Sequence, residues 1–306
     1  MTTINWDDRK VSNLKMLTYR GFNSTEISTL MSDHYKEYFS PKAVGQAKNR
    51  YKVLTYCLER DKDIRLYTDT LRLPRDNYIV FCDFHSPYHS ELWMNRGLAI
   101  ADNLDIKKCI IAGDLIDNDF IKSWENMDIA DQTTLDQQTE GTRPVFEALD
   151  YFDQVTLIRG NHETRVNRAT DGKIHARHLF EIIGKEIWEN KFSYSTYDKL
   201  FIGDEWMIVH PRSYSQISGS VAVRLAEKFH RHVLNAHGHF LAMKYDRSGE
   251  YMSIDLGGMY DVQKIGYINK FTTTHPCWNN GFAVVTTDDE IHLFHENTDW
   301  HYYGVD

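Results

Sequence analysis

The chain has 306 residues, of which 42% are hydrophobic and 26% charged, and its formal net charge is −9. These values exclude wholesale disorder and fibrous repeats, and the sequence contains no apolar run of the roughly 18 residues that predict a membrane span. The cysteines form no CxxC pair, which excludes a disulfide scaffold and a cysteine-rich zinc site. The start of the chain lacks the basic-then-apolar layout of a secretory signal. We therefore expect no membrane partner and a location in the cytoplasm, either of a bacterium or of the host cell of a virus.

Charge divides the chain into a basic head and an acidic body. Residues 1–60 hold ten Lys and Arg against six Asp and Glu, so of the totals of 35 and 44 the rest of the chain carries 25 against 38. The charge-rich stretch 61–76 has no clear helical period and is predicted to be a linker. We therefore expect two domains, 1–60 and 77–306, with different partners.

The head is predicted to form three short helices. The first covers about Asp7 to Tyr19, the pair Asn23 and Glu26 predicts a capped start for the second, and Ser40-Pro41 predicts the start of the third. The outward side chains of the third helix are basic or amide groups, which suit phosphate oxygens and base edges. They are Lys42, Gln46, Asn49 and Arg50.

This layout resembles helix-turn-helix domains of the Myb-like or resolvase-like kind over about 50 residues. The resemblance implies that residues 1–60 bind nucleic acid, with DNA favoured. The alternative is a helical cap or an oligomerisation module whose basic face is simply solvated.

The body alternates short apolar runs with segments long enough for helices. Such runs, rich in β-branched residues, are typical of buried strands, and the last two form a predicted hairpin. The sequence therefore predicts a layered α/β domain, a class of fold that binds ligands at the carboxyl ends of its strands. The runs lie at 77–82, 108–112, 155–158, 206–209, 233–236, 253–256, 281–287 and 290–296, and helices are expected near 91–103 and 134–152.

A polar motif follows each of the first five apolar runs. One such motif is weak, because a single Asp-x-His or a lone His occurs often by chance, but five in this order are not expected by accident. In chain order they are Asp83-Phe-His85, Gly113-Asp114-Leu-Ile-Asp117, Gly160-Asn161-His162-Glu163, His210 and His237-Gly-His239. Their order and spacing resemble the calcineurin-like metallophosphoesterase superfamily over about residues 77–260. The resemblance implies a metallophosphoesterase sandwich, in which helices flank two sheets.

The resemblance also implies two divalent metal ions. Carboxylate, imidazole and amide oxygen donors suit Mn²⁺, which we favour, and also Fe, Zn, Ni or Mg. Asp114 is the natural bridge, because two dications close together need a shared anionic ligand. The implied ligands of the first metal are Asp83, His85, Asp114 and His239, and those of the second are Asp114, Asn161, His210 and His237.

Two further residues of these motifs have implied catalytic roles. His162 is expected to face the leaving oxygen, as a proton donor or as a positive partner of the developing charge, and Asp117 to orient its ring. For Asp117 a helix N-cap is the alternative. Arg165, Arg212 and His89 lie beside the metal motifs and are candidates to hold a phosphate oxygen, with surface or salt-bridge roles as the alternative.

The resemblance implies a phosphoesterase in which a hydroxide that bridges two metals attacks phosphorus. We expect phosphodiester bonds in nucleic acid as the substrate. The alternatives are a phosphomonoesterase, acting on proteins or small molecules, and a DNA-binding regulator with a metal-sensing domain. Ala236 stands where the family usually has Gly, a departure that concerns the backbone and not the ligands. No Arg follows Asp117, and this absence disfavours the protein-phosphatase branch. The sequence leaves the oligomeric state open, a homodimer included.

Overall fold

The structure, a computed structural model, describes residues 4–53, 69–121, 133–184, 191–266, 268 and 278–305. The chain divides into two compact units, Met1–Thr68 and Asp69–Asp306. Of the expected linker, residues 61–68 lie outside the described residues, whereas Arg72–Leu73 forms a short strand of the second unit. That strand belongs to the unit because Leu73 is buried in its core. The domain boundaries otherwise stay a prediction.

The first unit contains the three expected helices. They are α1 (Asp8–Tyr19), α2 (Ser24–Tyr35) and α3 (Pro41–Arg50). Asn23 and Glu26 form the predicted capping box of α2, and the Ser40 hydroxyl accepts a hydrogen bond from the N–H of Ala43 at the start of α3. The helices pack around an apolar core that contains Leu14, Ile27, Met31, Phe39, Val44 and Ala47. The side chains of Lys42, Gln46, Asn49 and Arg50 are all exposed on α3.

The second unit combines helices with strands. Its described helices are α4 (Glu91–Asn103), α5 (Leu135–Leu149), α6 (Glu163–Ala169), α7 (Ala176–Ile183) and α8 (Ser220–Phe229). Its described strands are β1 (Arg72–Leu73), β2 (Tyr78–Phe81), β3 (Lys108–Ile111), β4 (Gln154–Ile158), β5 (Phe192–Ser195), β6 (Lys199–Ile202), β7 (Trp206–Val209), β8 (His232–Asn235), β9 (Leu241–Tyr245), β10 (Met252–Leu256), β11 (Gly281–Val285) and β12 (Ile291–His295). Within the described residues, no helix is long and apolar enough to cross a membrane.

The described strands form two six-stranded mixed sheets. One has the order β1-β6-β7-β8-β10-β9 and the other β12-β11-β2-β3-β4-β5. The strands that precede the five motifs are parallel to their neighbours: β2 with β3, β3 with β4, and β7 with β8. Their carboxyl ends therefore gather at one edge of each sheet.

The pleat of β2 shows how the layers pack. Tyr78 and Val80 point into a core between the sheets, where Ile208 and Leu234 of the other sheet also lie. Residues of the opposite face of β2, among them Phe81, pack into a second core with the helices. The predicted sandwich of two sheets flanked by helices is confirmed.

Candidate metal centre

The structure brings the five motifs together. Three groups of His and Asp side chains each place their ligand atoms within 4.8 Å of one another, and Asp114 belongs to two of them. They are Asp83, His85 and His239; His85, Asp114 and His162; and Asp114, His210 and His237. The remaining expected ligand, Asn161, places its Oδ1 2.9 Å from Nε2 of His210. All seven side chains expected to bind metal therefore converge.

The backbone at this centre is strained. Positive φ values are uncommon for residues other than glycine and cost of the order of 1–3 kcal/mol each, and they cluster at functional sites. Five of the seven expected ligands adopt them: Asp83 (φ 51°), His85 (47°), Asp114 (50°), His237 (72°) and His239 (57°). The fold therefore accepts an unfavourable backbone conformation at the positions whose side chains point into the candidate metal centre.

Two glycines allow the motifs to approach each other. A Cβ at Gly160 would lie 2.1 Å from Oδ1 of Asp114, and one at Gly113 would lie 2.6 Å from Nδ1 of His210. Gly113 also has a φ of +81°. Any side chain at either position would displace these two expected ligands.

In the first group, two imidazole nitrogens face each other. Nε2 of His85 lies 3.0 Å from Nε2 of His239, which in turn lies 3.1 Å from Oδ1 of Asp83. Nδ1 of His85 lies 3.0 Å from Oδ1 of Asp117, a carboxylate that can only accept, so the His85 proton belongs on Nδ1. When His85 is neutral, the lone pair on its Nε2 therefore points at the group, where a cation would bind it together with Asp83.

In the second group, the tautomer of His210 is fixed in the same way. Its Nδ1–H donates to the carbonyl of Ala112 over 2.8 Å, which leaves Nε2 free to bind a metal. Nε2 lies 3.2 Å from Oδ2 of Asp114. That oxygen is buried and accepts no hydrogen bond from the described residues, whereas Oδ1 of Asp114 accepts the N–H of His162 over 2.8 Å. Asp114 thus keeps one oxygen for cations, and the donor set fits two divalent ions.

His162 lies beside Asp114 and is held from both sides. Its Nδ1 is 2.8 Å from both Oδ1 and the carbonyl oxygen of Asp117, so Nδ1 carries the proton. Its Nε2 lies 3.7 Å from Oδ2 of Asp114 and accepts a hydrogen bond from Nη2 of Arg165 over 2.7 Å. Burial lowers the pKa of His162 to about 4, and the ring is therefore neutral in this arrangement.

The expected partner of His162 has a second contact that the sequence did not predict. The Asp117 carboxylate that contacts His162 also contacts His85, so one acidic group orients both rings.

Of the three candidate phosphate-binding residues, Arg165 lies against His162, and the exposed Arg212 lines a cleft with Asn161 and His210. His89 instead contacts Ser86, with its Nδ1 3.3 Å from Oγ.

Glu163 organises the turn that carries Asp114, and sequence reasoning gave it no role. Its buried carboxylate accepts the backbone N–H groups of Asp114 (3.0 Å), Leu115 (2.8 Å) and Gly160 (2.8 Å). Burial and the nearby Asp114 raise the pKa of Glu163 to about 7. The motif shows an acidic residue at this position, but its role could not be predicted from the sequence. The groups it binds are backbone N–H groups, which do not depend on the type of side chain.

We expect Glu163→Ala to destabilise the protein. The substitution leaves three buried N–H groups without their acceptor, at about 1–3 kcal/mol for each unsatisfied group. Chemical denaturation should show a loss of several kcal/mol in the free energy of unfolding. Glu181→Ala, which removes a partly exposed glutamate of α7 that pairs with Arg177, is the control and should change that free energy by less than about 0.5 kcal/mol. Equal losses for the two variants would contradict the role given to Glu163.

Binding of metal should release protons from two ligands. Burial lowers the pKa of both His85 and His210, but contacts with nearby carboxylates outweigh it. Asp117 and Asp83 raise the pKa of His85 to about 9. Asp114 raises the pKa of His210 to about 10. Both rings are thus protonated at neutral pH in the metal-free protein, and a cation must displace those protons.

We therefore expect affinity for Mn²⁺ to rise as pH increases from about 6 to about 9, because fewer protons remain to be displaced. Calorimetry in buffers of different ionisation enthalpy measures the protons released, and the release should approach two per protein near pH 7. An affinity that does not change with pH would contradict the two raised pKa values.

The chain is similar to a known protein family and to solved structures. The sequence profile of the calcineurin-like phosphoesterase family matches residues 76–305. No protein with a curated description matches the chain in sequence. Among solved structures, Yfce, a phosphoesterase from E. coli, is similar over 72% of this chain and 100% of its own, with 12% identity and a TM-score of 0.35. A dimetal phosphatase from Danio rerio is similar over 72% of this chain and 96% of its own, with 11% identity and a TM-score of 0.36. Since the family profile spans well over half of the sequence and includes every motif of the centre, the chain belongs to the calcineurin-like phosphoesterases.

Proposed function

We propose that this metal-dependent phosphoesterase hydrolyses phosphodiester bonds in nucleic acid. The observation that carries the choice of substrate is the exposed face of α3, where Lys42, Gln46, Asn49 and Arg50 lie together on a three-helix unit. Basic and amide groups on one helix suit a phosphate backbone and the edges of bases. A hydrolase for small monoesters has no need of such a face.

The side chains of the centre divide into two ligand sets around Asp114. We assign Asp83, His85 and His239 to one cation and Asn161, His210 and His237 to the other, with Asp114 between them. When bound, a pair of divalent ions, Mn²⁺ by preference, supplies an activated water molecule and polarises the phosphoryl oxygens. Asp117 holds His85 in the tautomer that leaves Nε2 free, and Ala112 does the same for His210.

His162 is the proposed partner of the leaving oxygen. Asp117 fixes the ring through Nδ1, so that Nε2 is the atom directed towards the substrate. The negative charge of a bound phosphate raises the pKa of the ring, so Nε2 can carry a proton when the leaving oxygen needs one. Arg165, which contacts Nε2 in this structure, would then turn to a phosphate oxygen.

Two chromogenic esters separate this function from that of a phosphomonoesterase. With Mn²⁺ added, the purified protein should hydrolyse bis(p-nitrophenyl) phosphate faster than p-nitrophenyl phosphate. It should also cut labelled single-stranded or double-stranded DNA or RNA. If the metal-loaded protein released phosphate from monoesters and left every nucleic acid intact, the proposal would be wrong.

The role of the first unit can be tested in the full chain. We expect Lys42→Ala/Arg50→Ala to weaken binding to duplex DNA about tenfold or more and to reduce the slope of log K against log salt by about two, because two phosphate contacts are lost. Fluorescence anisotropy over a salt series measures both quantities. Arg9→Ala/Lys15→Ala removes the same charge from exposed positions of α1 and is the matched control. Equal effects of the two double variants would contradict a specific α3 face.

A further inference from the structure

A cleft beside the second ligand set collects three arginines. Arg159, Arg168 and Arg212 line a cavity of about 230 Å³, whose wall also includes His210 and His237. They come from three different places in the fold: the segment after β4, the last turn of α6, and the segment after β7. The chain therefore places three guanidinium groups together, next to residues expected to bind metal.

These arginines are not explained by salt bridges. In the part of the chain that the structure describes, no ion pair involves any of the three guanidinium groups. One acidic residue, Asp198, also lines the cleft. Its carboxylate lies 3.7 Å from Nζ of Lys199 and is therefore paired with a lysine and not with any of the three arginines. The formal charge of the cleft is thus positive within a chain of net charge −9, and an anion would be its natural ligand.

The position of the cleft indicates which anion it would bind. His162 belongs to the group with His85 and Asp114, Arg165 contacts His162, and both are already assigned to the scissile phosphate and its leaving oxygen. The cleft lies with His210 and His237, the other ligand set. Its volume of about 230 Å³ is below the range of about 300–1,000 Å³ for drug-sized ligands, so it suits a small group such as one phosphate and part of its sugar.

We propose that Arg159, Arg168 and Arg212 form a subsite for the phosphate next to the scissile one, so that the enzyme recognises a nucleic acid strand by two consecutive phosphates. This inference rests on the proposed function and makes it more specific. A phosphomonoester offers only one phosphate and leaves the subsite empty. Arginine suits the subsite because its planar donors bind phosphate oxygens in pairs.

Binding without turnover tests the subsite directly. In the presence of a chelator, calorimetry compares thymidine 3′,5′-bisphosphate with the 3′- and 5′-monophosphates on the full-length protein. We expect the bisphosphate to bind at least about tenfold more tightly than either monophosphate. Arg168→Ala/Arg212→Ala should reduce that advantage to about twofold or less, and the corresponding double lysine variant should restore part of it. Equal affinities for the three nucleotides in the unmodified protein would overturn the subsite.

The control removes equal charge elsewhere on the same unit. Arg224 and Arg247 are exposed and lie outside the cleft, and Arg224→Ala/Arg247→Ala should keep the full preference for the bisphosphate. A loss of preference in this control as large as in the cleft variant would mean that net charge alone attracts the ligand, and would also overturn the subsite.

Hydrolysis of dinucleotides separates failure of the subsite from failure of the function. With Mn²⁺, one of the end-phosphorylated dinucleotides d(pTpT) and d(TpTp) should be cut with a kcat/KM at least about tenfold above that of d(TpT). The cleft variant should lose most of this ratio. If all three were cut equally well, the function would stand and the subsite would fall. If none were cut, the proposed function would fall, and the binding measurements alone would decide the subsite.

Discussion

Asp114→Asn should reduce kcat/KM for bis(p-nitrophenyl) phosphate by about 10³-fold or more. The interactions that a metal pair makes with a phosphoryl group are worth several kcal/mol, and each 1.36 kcal/mol is a factor of ten in rate. Asp114 is the only side chain assigned to both ligand sets, and Oδ2 is its buried oxygen without a hydrogen bond. An amide nitrogen in place of that oxygen offers no lone pair to a cation.

The variant should still fold, because the remaining amide oxygen can accept the His162 N–H that Oδ1 now accepts over 2.8 Å. Elemental analysis should find fewer than two metals per protein, and the rise in Tm that Mn²⁺ gives the unmodified protein should be lost. Asp171→Asn is a matched control, since Asp171 is exposed and also has a positive φ (48°). Two bound metals and full activity in Asp114→Asn would show that the bridge is elsewhere.

Much of this centre could be predicted because the motifs follow buried strands. Apolar runs such as 108–112 are readable from composition, and in the structure this run becomes β3, with Asp114 just beyond its end. The expected helix 91–103 coincides with α4, whose start is capped by Ser90. Local signals of this kind need no knowledge of the rest of the fold.

The remainder depends on contacts that no local pattern encodes. The sequence did not predict β9. Its side chains are partly or fully exposed, with Met243 47% and Tyr245 56% accessible, so the strand does not appear in the sequence as an apolar run. Glu163 acts on backbone groups, which carry no signature of their own. The second contact of Asp117, to His85, joins two motifs whose relative placement only the folded sheets define.

His162→Ala should lower kcat by about 10²–10⁴-fold while both metals stay bound. The ring is neutral and fixed by Asp117, and its Nε2 is closer to Nη2 of Arg165 (2.7 Å) than to Oδ2 of Asp114 (3.7 Å). The loss should be smaller for esters with good leaving groups, such as p-nitrophenolate, because they need little protonation as they depart. A comparison of bis(p-nitrophenyl) phosphate with a DNA strand therefore reports on proton donation, which a purely structural role would not affect.

His162 could instead bind a cation, since its ring nitrogen lies within 4.8 Å of ligand atoms of His85 and Asp114. Metal content and activity of the same samples decide between the two roles. Loss of one metal from His162→Ala, with similar losses of rate on both substrates, would make His162 a ligand. His292→Ala, at an exposed position of β12, should leave metal content and rate unchanged. Full metal content with a larger loss on DNA would make His162 the partner of the leaving oxygen, because only that step depends on how basic the departing group is.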